Sequence, residues 1–201
     1  ARGMLTPTLN SLEQIDVWQQ DNKDGPAPAY LHVDTGMNRL GLSATDVETL
    51  IADPARLDGV SISTLITHLA CADTPAHPMN TAQLSAFQAA RAQLETLTGG
   101  LQASLANSPG IFLGPEYHFD LVRPGAALYG LTPSPEQPNP MKQAVEIYAK
   151  ILQLRDVDTP MTVGYGAAHQ VEKPARIATV AAGYGDGYPR AAASKTGGTM
   201  H

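Results

Sequence analysis

Three apolar, strand-like runs, Ala29 to Asp34, Val60 to Ala70 and Leu101 to Asn107, are separated by segments of helical periodicity. Antiparallel neighbours can close with a turn of a few residues, whereas a parallel return needs a crossover of about a dozen or more. This order therefore restricts the first half of the chain to βαβ units on a parallel sheet, an α/β fold. The helices carry their own boundaries. Ser11 and Gln14 have capping-box spacing ahead of Leu12, Ile15 and Trp18, and Asp21 to Gly25 is the stop. Ser43 caps a second helix with Asp46 at its positive end and Val47, Leu50 and Ile51 inward, until Pro54 ends it. Asn80 is expected to cap a third, in which Leu84, Phe87, Ala90, Leu94 and Leu97 recur every three or four residues before Gly99 and Gly100.

A complete (β/α)8 barrel takes roughly 250 residues, so a chain of 201 holds only part of one alongside anything else. The texture changes after residue 131. Thr132 to Met141 has four prolines in ten residues, a linker composition that continues neither helix nor central strand. Beyond it the sequence is β-branched and alternating. The expected organisation is a partial TIM-type barrel over 1–131, a linker over 132–141 and the start of a β-rich domain over 142–201, without internal repeats.

Thirteen basic against nineteen acidic residues give a net charge of −6 with no Lys/Arg cluster, which argues against nucleic acid as a partner. No apolar run reaches the roughly 18 residues of a membrane helix. Cys71 is the single cysteine, so no internal disulfide forms and a reducing compartment is the simplest reading. The first residues hold neither an initiator methionine nor a signal peptide, and the last stop in a Gly-Thr turn, which together suggest a fragment. Walker, dinucleotide, zinc and nucleophile-elbow patterns are missing, and His77 and His118 read as isolated surface residues.

In parallel α/β folds the chemistry gathers at the carboxyl ends of the strands. The conspicuous polar residues fall there: Asp34, Asn38 and Arg39 after the first run, His68 and Asp73 after the second, Asn107 and Ser108 after the third, and Arg123 after a further short segment. Asp34 and Thr35 before Gly36 fit an Asx turn as well as a site. His68 fits a hydrogen-bonded core histidine as well as a catalytic one. Arg39 and Arg123 demand more explanation, because a guanidinium beside buried strands needs an acceptor. The turn Asn107-Ser108-Pro109-Gly110 offers a hydroxyl and small-residue amides, the chemistry of a phosphate cradle and also of many loops. Tyr165 and Tyr184 each stand between two glycines, which presents the phenol and equally suits a plain turn.

In order, "VDTGMNRLGL", "THLACAD", "SLANSPG", "DLVRPGAALYG", "TVGYGAAHQ" and "AAGYGDGYPR" resemble the signature segments of bacterial alanine racemases over about residues 10 to 195. The resemblance implies a pyridoxal 5'-phosphate enzyme, a barrel joined to a β-rich domain, working as a cytoplasmic homodimer that interconverts L- and D-alanine and supplies D-alanine for peptidoglycan. It implies that Arg123 faces the pyridine nitrogen, and that Arg39 contacts the cofactor phenolate oxygen and the substrate carboxylate. Ser108, with the backbone around Gly125, matches the phosphate ligands. Tyr165 matches one of two catalytic bases, reaching into the partner's site, and His68 the histidine linking that tyrosine to the arginine. Asp73, Tyr184 and Arg190 match the corridor through which substrate arrives. Racemisation needs a base on each face of Cα, and a tyrosine, with an ordinary pKa of about 10, serves only where cations stabilise its phenolate.

Three departures accompany the resemblance. The family's cofactor lysine lies in a "KANAYGHG"-like segment with no counterpart here, and Lys23, Lys142, Lys150, Lys173 and Lys195 do not match it. The closing "GRVCMD"-like segment is also missing. His32 stands where many members carry lysine, which leaves open what supports Arg39. The isolated chain is accordingly expected not to racemise alanine. Competing readings are a cofactor-binding barrel without turnover, which would need no Tyr165, and a related decarboxylase, which would prefer a carboxylate at the position of Arg123.

Overall fold

The computed structural model describes residues 5–22, 25–158 and 160–189. The chain divides into two compact units between Val145 and Glu146. The first is α/β. Its elements run β1 (Thr8–Leu9), α1 (Leu12–Asp21), β2 (Ala27–His32), α2 (Ala44–Ala52), β3 (Val60–Ile66), α3 (Pro78–Thr98) and β4 (Gln102–Ser104). The four strands form one sheet in the order β1-β2-β3-β4, every neighbouring pair parallel. Sequential parallel strands with a helix in each crossover are the repeating unit of a (β/α)8 barrel.

The helices start as their side chains dictate, with one exception. Ser11 accepts from the Gln14 amide at 3.3 Å, and Ser43 and Asp46 form a reciprocal capping box. The third helix begins two residues earlier than Asn80: His77 caps it through Nδ1, which accepts from the Met79 amide at 3.2 Å, and Pro78 takes the first position. Asn80 is instead buried within the first turn, where Nδ2 donates to the carbonyls of Thr74 and Pro75. The loop that leads into the helix thus claims the side chain in place of a cap. Gly99, at φ +75°, ends the helix in the left-handed region.

One hydrophobic core lies between sheet and helices, built on Ile15, Leu31, Val33, Leu42, Leu50, Leu65, Phe87, Leu94 and Leu105. Each helix contributes the face predicted by its periodicity. The ladders are shorter than the apolar runs. β3 stops at Ile66, and over Thr67 to Ala70 side chains from elsewhere take up backbone groups, which creates room for a site.

The second unit is β-rich. β5 (Ile151–Val157) pairs antiparallel with β8 (Ala175–Val180), and β6 (Met161–Val163) with β7 (His169–Val171). Its only helical elements among the described residues are the 3-10 turns Tyr165–Ala167 and Tyr184–Asp186. No helix among the described residues is long and apolar enough to cross a membrane.

Candidate active site at the carboxyl ends of the strands

After β2 the chain makes a tight loop around one carboxylate. Asp34 Oδ1 accepts from the amides of Gly36, Met37 and Asn38 at 2.9, 2.9 and 3.1 Å. The Asx-turn role is therefore the one its side chain performs, and its effect is to hold the turn that leads to Arg39. Arg39 itself is exposed, and its charge reaches both His32 and His68.

Arg123 lies on a segment running beside β4, where Asp120 and Leu121 donate to the Ala103 carbonyl and the Arg123 amide donates to that of Ala106. Its part-buried guanidinium gives Nη1 to the Ser104 carbonyl, at 2.9 Å, and to the Ser104 hydroxyl, and Nη2 to the Thr67 carbonyl. Those acceptors are neutral. Burial pulls the guanidinium below its usual range, yet arginine remains a cation at neutral pH, so a fixed positive charge sits at the ends of β3 and β4.

His68 responds to that charge. Burial first, then Arg123 and Arg39, hold its imidazole below the ordinary histidine range. Asn107 defines the tautomer. Its Oδ1 accepts from the Gly110 amide at 3.0 Å, so its Nδ2 faces outward, donating to the Leu69 carbonyl at 3.0 Å and toward His68 Nε2 at 3.3 Å. His68 is thus a neutral imidazole accepting at Nε2. His32, bonded through Nδ1 to Asn10 Oδ1 at 2.8 Å, is lowered chiefly by burial and then by Arg123, against an opposing pull from Asp34.

A histidine depressed in the folded state binds fewer protons than its unfolded counterpart. Stability from His32 and His68 is therefore fully present above about pH 6.5 and is lost as pH falls through the lowered folded values. Urea midpoints should fall between pH 7.5 and pH 5.5, above the carboxylate range, and His68→Gln should reduce that fall. An unchanged slope in the variant would remove His68 from the account.

The Ser108 hydroxyl is buried and accepts from the amides of Gly125 and Ala127 at 2.8 and 3.1 Å. One hydroxyl and two amides thus converge, and a Cβ added at Gly125 would meet nothing within 4 Å, so the cradle opens outward there. Both amides are engaged with Ser108 Oγ, which leaves the hydroxyl proton as the donor that a phosphate monoester could take directly. In chemistry, a hydroxyl donor at Ser108 and a cation at Arg123 are compatible with the phosphate and ring-nitrogen ends of pyridoxal 5'-phosphate. The amine that must hold the aldehyde end is not among these residues: Lys142, Lys150 and Lys173 are all exposed and none follows a strand of the parallel sheet.

The parallel-sheet unit therefore brings together His32, His68, Asn107, Ser108, Arg123 and Gly125, with Arg39 at the margin. Asp73 is exposed in the loop between β3 and α3. Tyr165 and Tyr184 belong to the second unit, 98% and 76% exposed in their turns. Arg190 lies outside the described residues. Gln83, Thr67 and Ser104 escaped the sequence reading. A signal existed for Gln83, since an amide at the head of the stripe 83, 87, 90, 94 interrupts an apolar face. A hollow of about 540 Å³ lies at the opposite ends of the strands, against Gln19, Asn22, Pro26, Asp58 and Gly59, away from all of this chemistry.

Comparison with known proteins agrees with the geometry. A family profile described as alanine racemase, N-terminal domain, matches residues 1–133, and one described as alanine racemase, C-terminal domain, matches 144–201. Alanine racemase of Rhodospirillum rubrum is 50% identical over 198 residues, 98% of this chain and 52% of that protein. The crystal structure of Bartonella henselae alanine racemase, with covalently bound pyridoxal phosphate, superposes with a TM-score of 0.79 at 40% identity, over 92% of this chain and 51% of that one. Biosynthetic alanine racemase of Pseudomonas aeruginosa gives a TM-score of 0.78 at 37% identity, over 94% and 52%. Relatives named catabolic also occur. The chain spans about half the length of the curated relatives it matches. Two family profiles in series over a parallel-sheet unit and a β-rich unit establish that the chain belongs to the alanine racemase family.

Proposed function

We propose that the protein carrying this chain interconverts L- and D-alanine by two-base proton transfer with pyridoxal 5'-phosphate, as a cytoplasmic homodimer that supplies D-alanine for peptidoglycan. The observation that carries the reading is Arg123, a cation wedged between the ends of β3 and β4 on neutral oxygens alone, at the end of the strand that Ser108 follows. When bound, pyridoxal 5'-phosphate supplies an electron sink that makes loss of the Cα proton feasible. The Ser108 hydroxyl, held by the amides of Gly125 and Ala127, would donate to its phosphate. Arg123, as a cation, would keep a proton off the ring nitrogen, which moderates the sink and disfavours side reactions. Arg39 would receive the substrate carboxylate.

The partner's Tyr165 would serve as one base, its phenolate supported through neutral His68 and charged Arg123. Tyr184, Asp73 and Arg190 would line the approach of substrate. A cofactor-binding barrel without turnover has no use for an exposed phenol between two glycines, which favours the enzyme.

The test uses the protein expressed from the complete reading frame that encodes this chain, supplied with pyridoxal 5'-phosphate. D-alanine should form from L-alanine, and Arg123→Glu should lower kcat by about 10²- to 10³-fold while leaving a folded protein. Lack of interconversion by the wild type would overturn the reading. Deletion in the host should create a D-alanine requirement; growth without D-alanine would remove the peptidoglycan role.

A further inference from the structure

Gln83 is completely buried on the face of α3 that otherwise packs with Phe87 and Leu94. An apolar side chain of similar volume would fill that place without the cost of desolvating an amide. The amide is instead fully engaged with two other segments. Its Oε1 accepts from the Ala70 amide at 2.9 Å, and its Nε2 donates to the His68 carbonyl at 2.9 Å and to Thr35 Oγ1 at 3.1 Å. Thr35 Oγ1 lies 2.8 Å from Thr67 Oγ1, and the Thr67 carbonyl accepts from Arg123. One side chain therefore clasps the backbone on both sides of Leu69 and ties it to the turn that leads to Arg39. That same strand end receives Arg123.

We infer that Gln83 is a positioning residue, which sets the imidazole of His68 against Arg123 and against the turn carrying Arg39. The inference deepens the racemase reading and rests on it for its catalytic consequence. Gln83 acts through His68 and the loop. Three bonds in a buried place give it leverage, because a group displaced by about 1 Å at a reacting centre can cost about 10²-fold in rate.

Gln83→Met preserves volume and removes all three bonds. Gln83→Glu keeps an acceptor for Ala70 but sets a carboxylate against the His68 carbonyl and ends donation to Thr35. In the complete protein, each variant is expected to lower kcat about 10- to 100-fold, more than it changes KM for alanine. The acid limb of the pH profile should also move upward, as His68 relaxes from the burial and from the charges of Arg123 and Arg39 that hold it low. The imidazole titration of His68, followed by its C–H resonances in NMR, should rise toward the ordinary histidine value in both variants. A filler of the core would lower the thermal midpoint and leave the profile and the titration in place.

Wild-type kcat and an unmoved His68 titration in Gln83→Met and Gln83→Glu would overturn the inference, whatever happens to stability. Should the wild type not racemise alanine, the functional reading falls separately, and the titration alone decides whether Gln83 positions His68.

Discussion

Replacing Tyr165 with phenylalanine in the complete protein is expected to slow hydrogen exchange at Cα of one alanine enantiomer by about 10²- to 10⁴-fold, and to slow exchange of the other far less. The asymmetry follows from the proposed chemistry, in which each face of Cα has its own base and only one is this phenol. The local structure suits the role. Gly164 and Gly166 adopt φ of +84° and +67°, so the backbone reverses tightly on both sides and leaves the ring 98% exposed. No described residue occupies its hydroxyl. Deuterium incorporation from solvent into L- and D-alanine measures the two faces separately. Equal losses for both enantiomers would assign Tyr165 a structural role, and no loss would remove it from the reaction.

Gly41→Ala should cost about 3 kcal/mol or more, enough to lower the urea midpoint by about 1 M or more. Gly41 sits at φ +111°, and a Cβ there would lie 2.7 Å from the Asp34 amide nitrogen and 2.9 Å from the Val33 carbonyl carbon. Both are backbone atoms held in place by the bonds of Leu42 to His32 and of Asp34 to Leu42, each 2.8 Å. The neighbours cannot retreat without opening the turn that carries Arg39. Gly99→Ala is the control. It has a positive φ too, but nothing within 4 Å of its Cβ, so it should cost only about 1 kcal/mol. Equal losses at the two positions would show that close packing around Gly41 carries no weight.

The α/β character of the first unit, the faces of its helices and the caps at Ser11 and Ser43 were legible from the chain, because each depends on residues three or four apart. Periodicity and capping are local properties, and the core adopted them unchanged. The turn at Asp34 was legible as one of two alternatives; three amides on one carboxylate oxygen decided it. His68, Ser108, Arg39 and Arg123 could be named from their segments, but not their partners. That Arg123 binds the carbonyls of Thr67 and Ser104, 56 and 19 residues away, follows from strands meeting in register, a contact no local pattern encodes. The same holds for Gln83, whose amide looks out of place in an apolar stripe until the end of β3 is brought against it, whereas Asn80 is drawn from a cap to a buried clasp by carbonyls only six and five residues back, in the loop that leads into the helix. Local sequence determined which elements form and which side each one buries. Only the tertiary structure decided which polar groups share a buried neighbourhood, since hydrogen-bond partners across a parallel sheet are set by packing and not by distance along the chain.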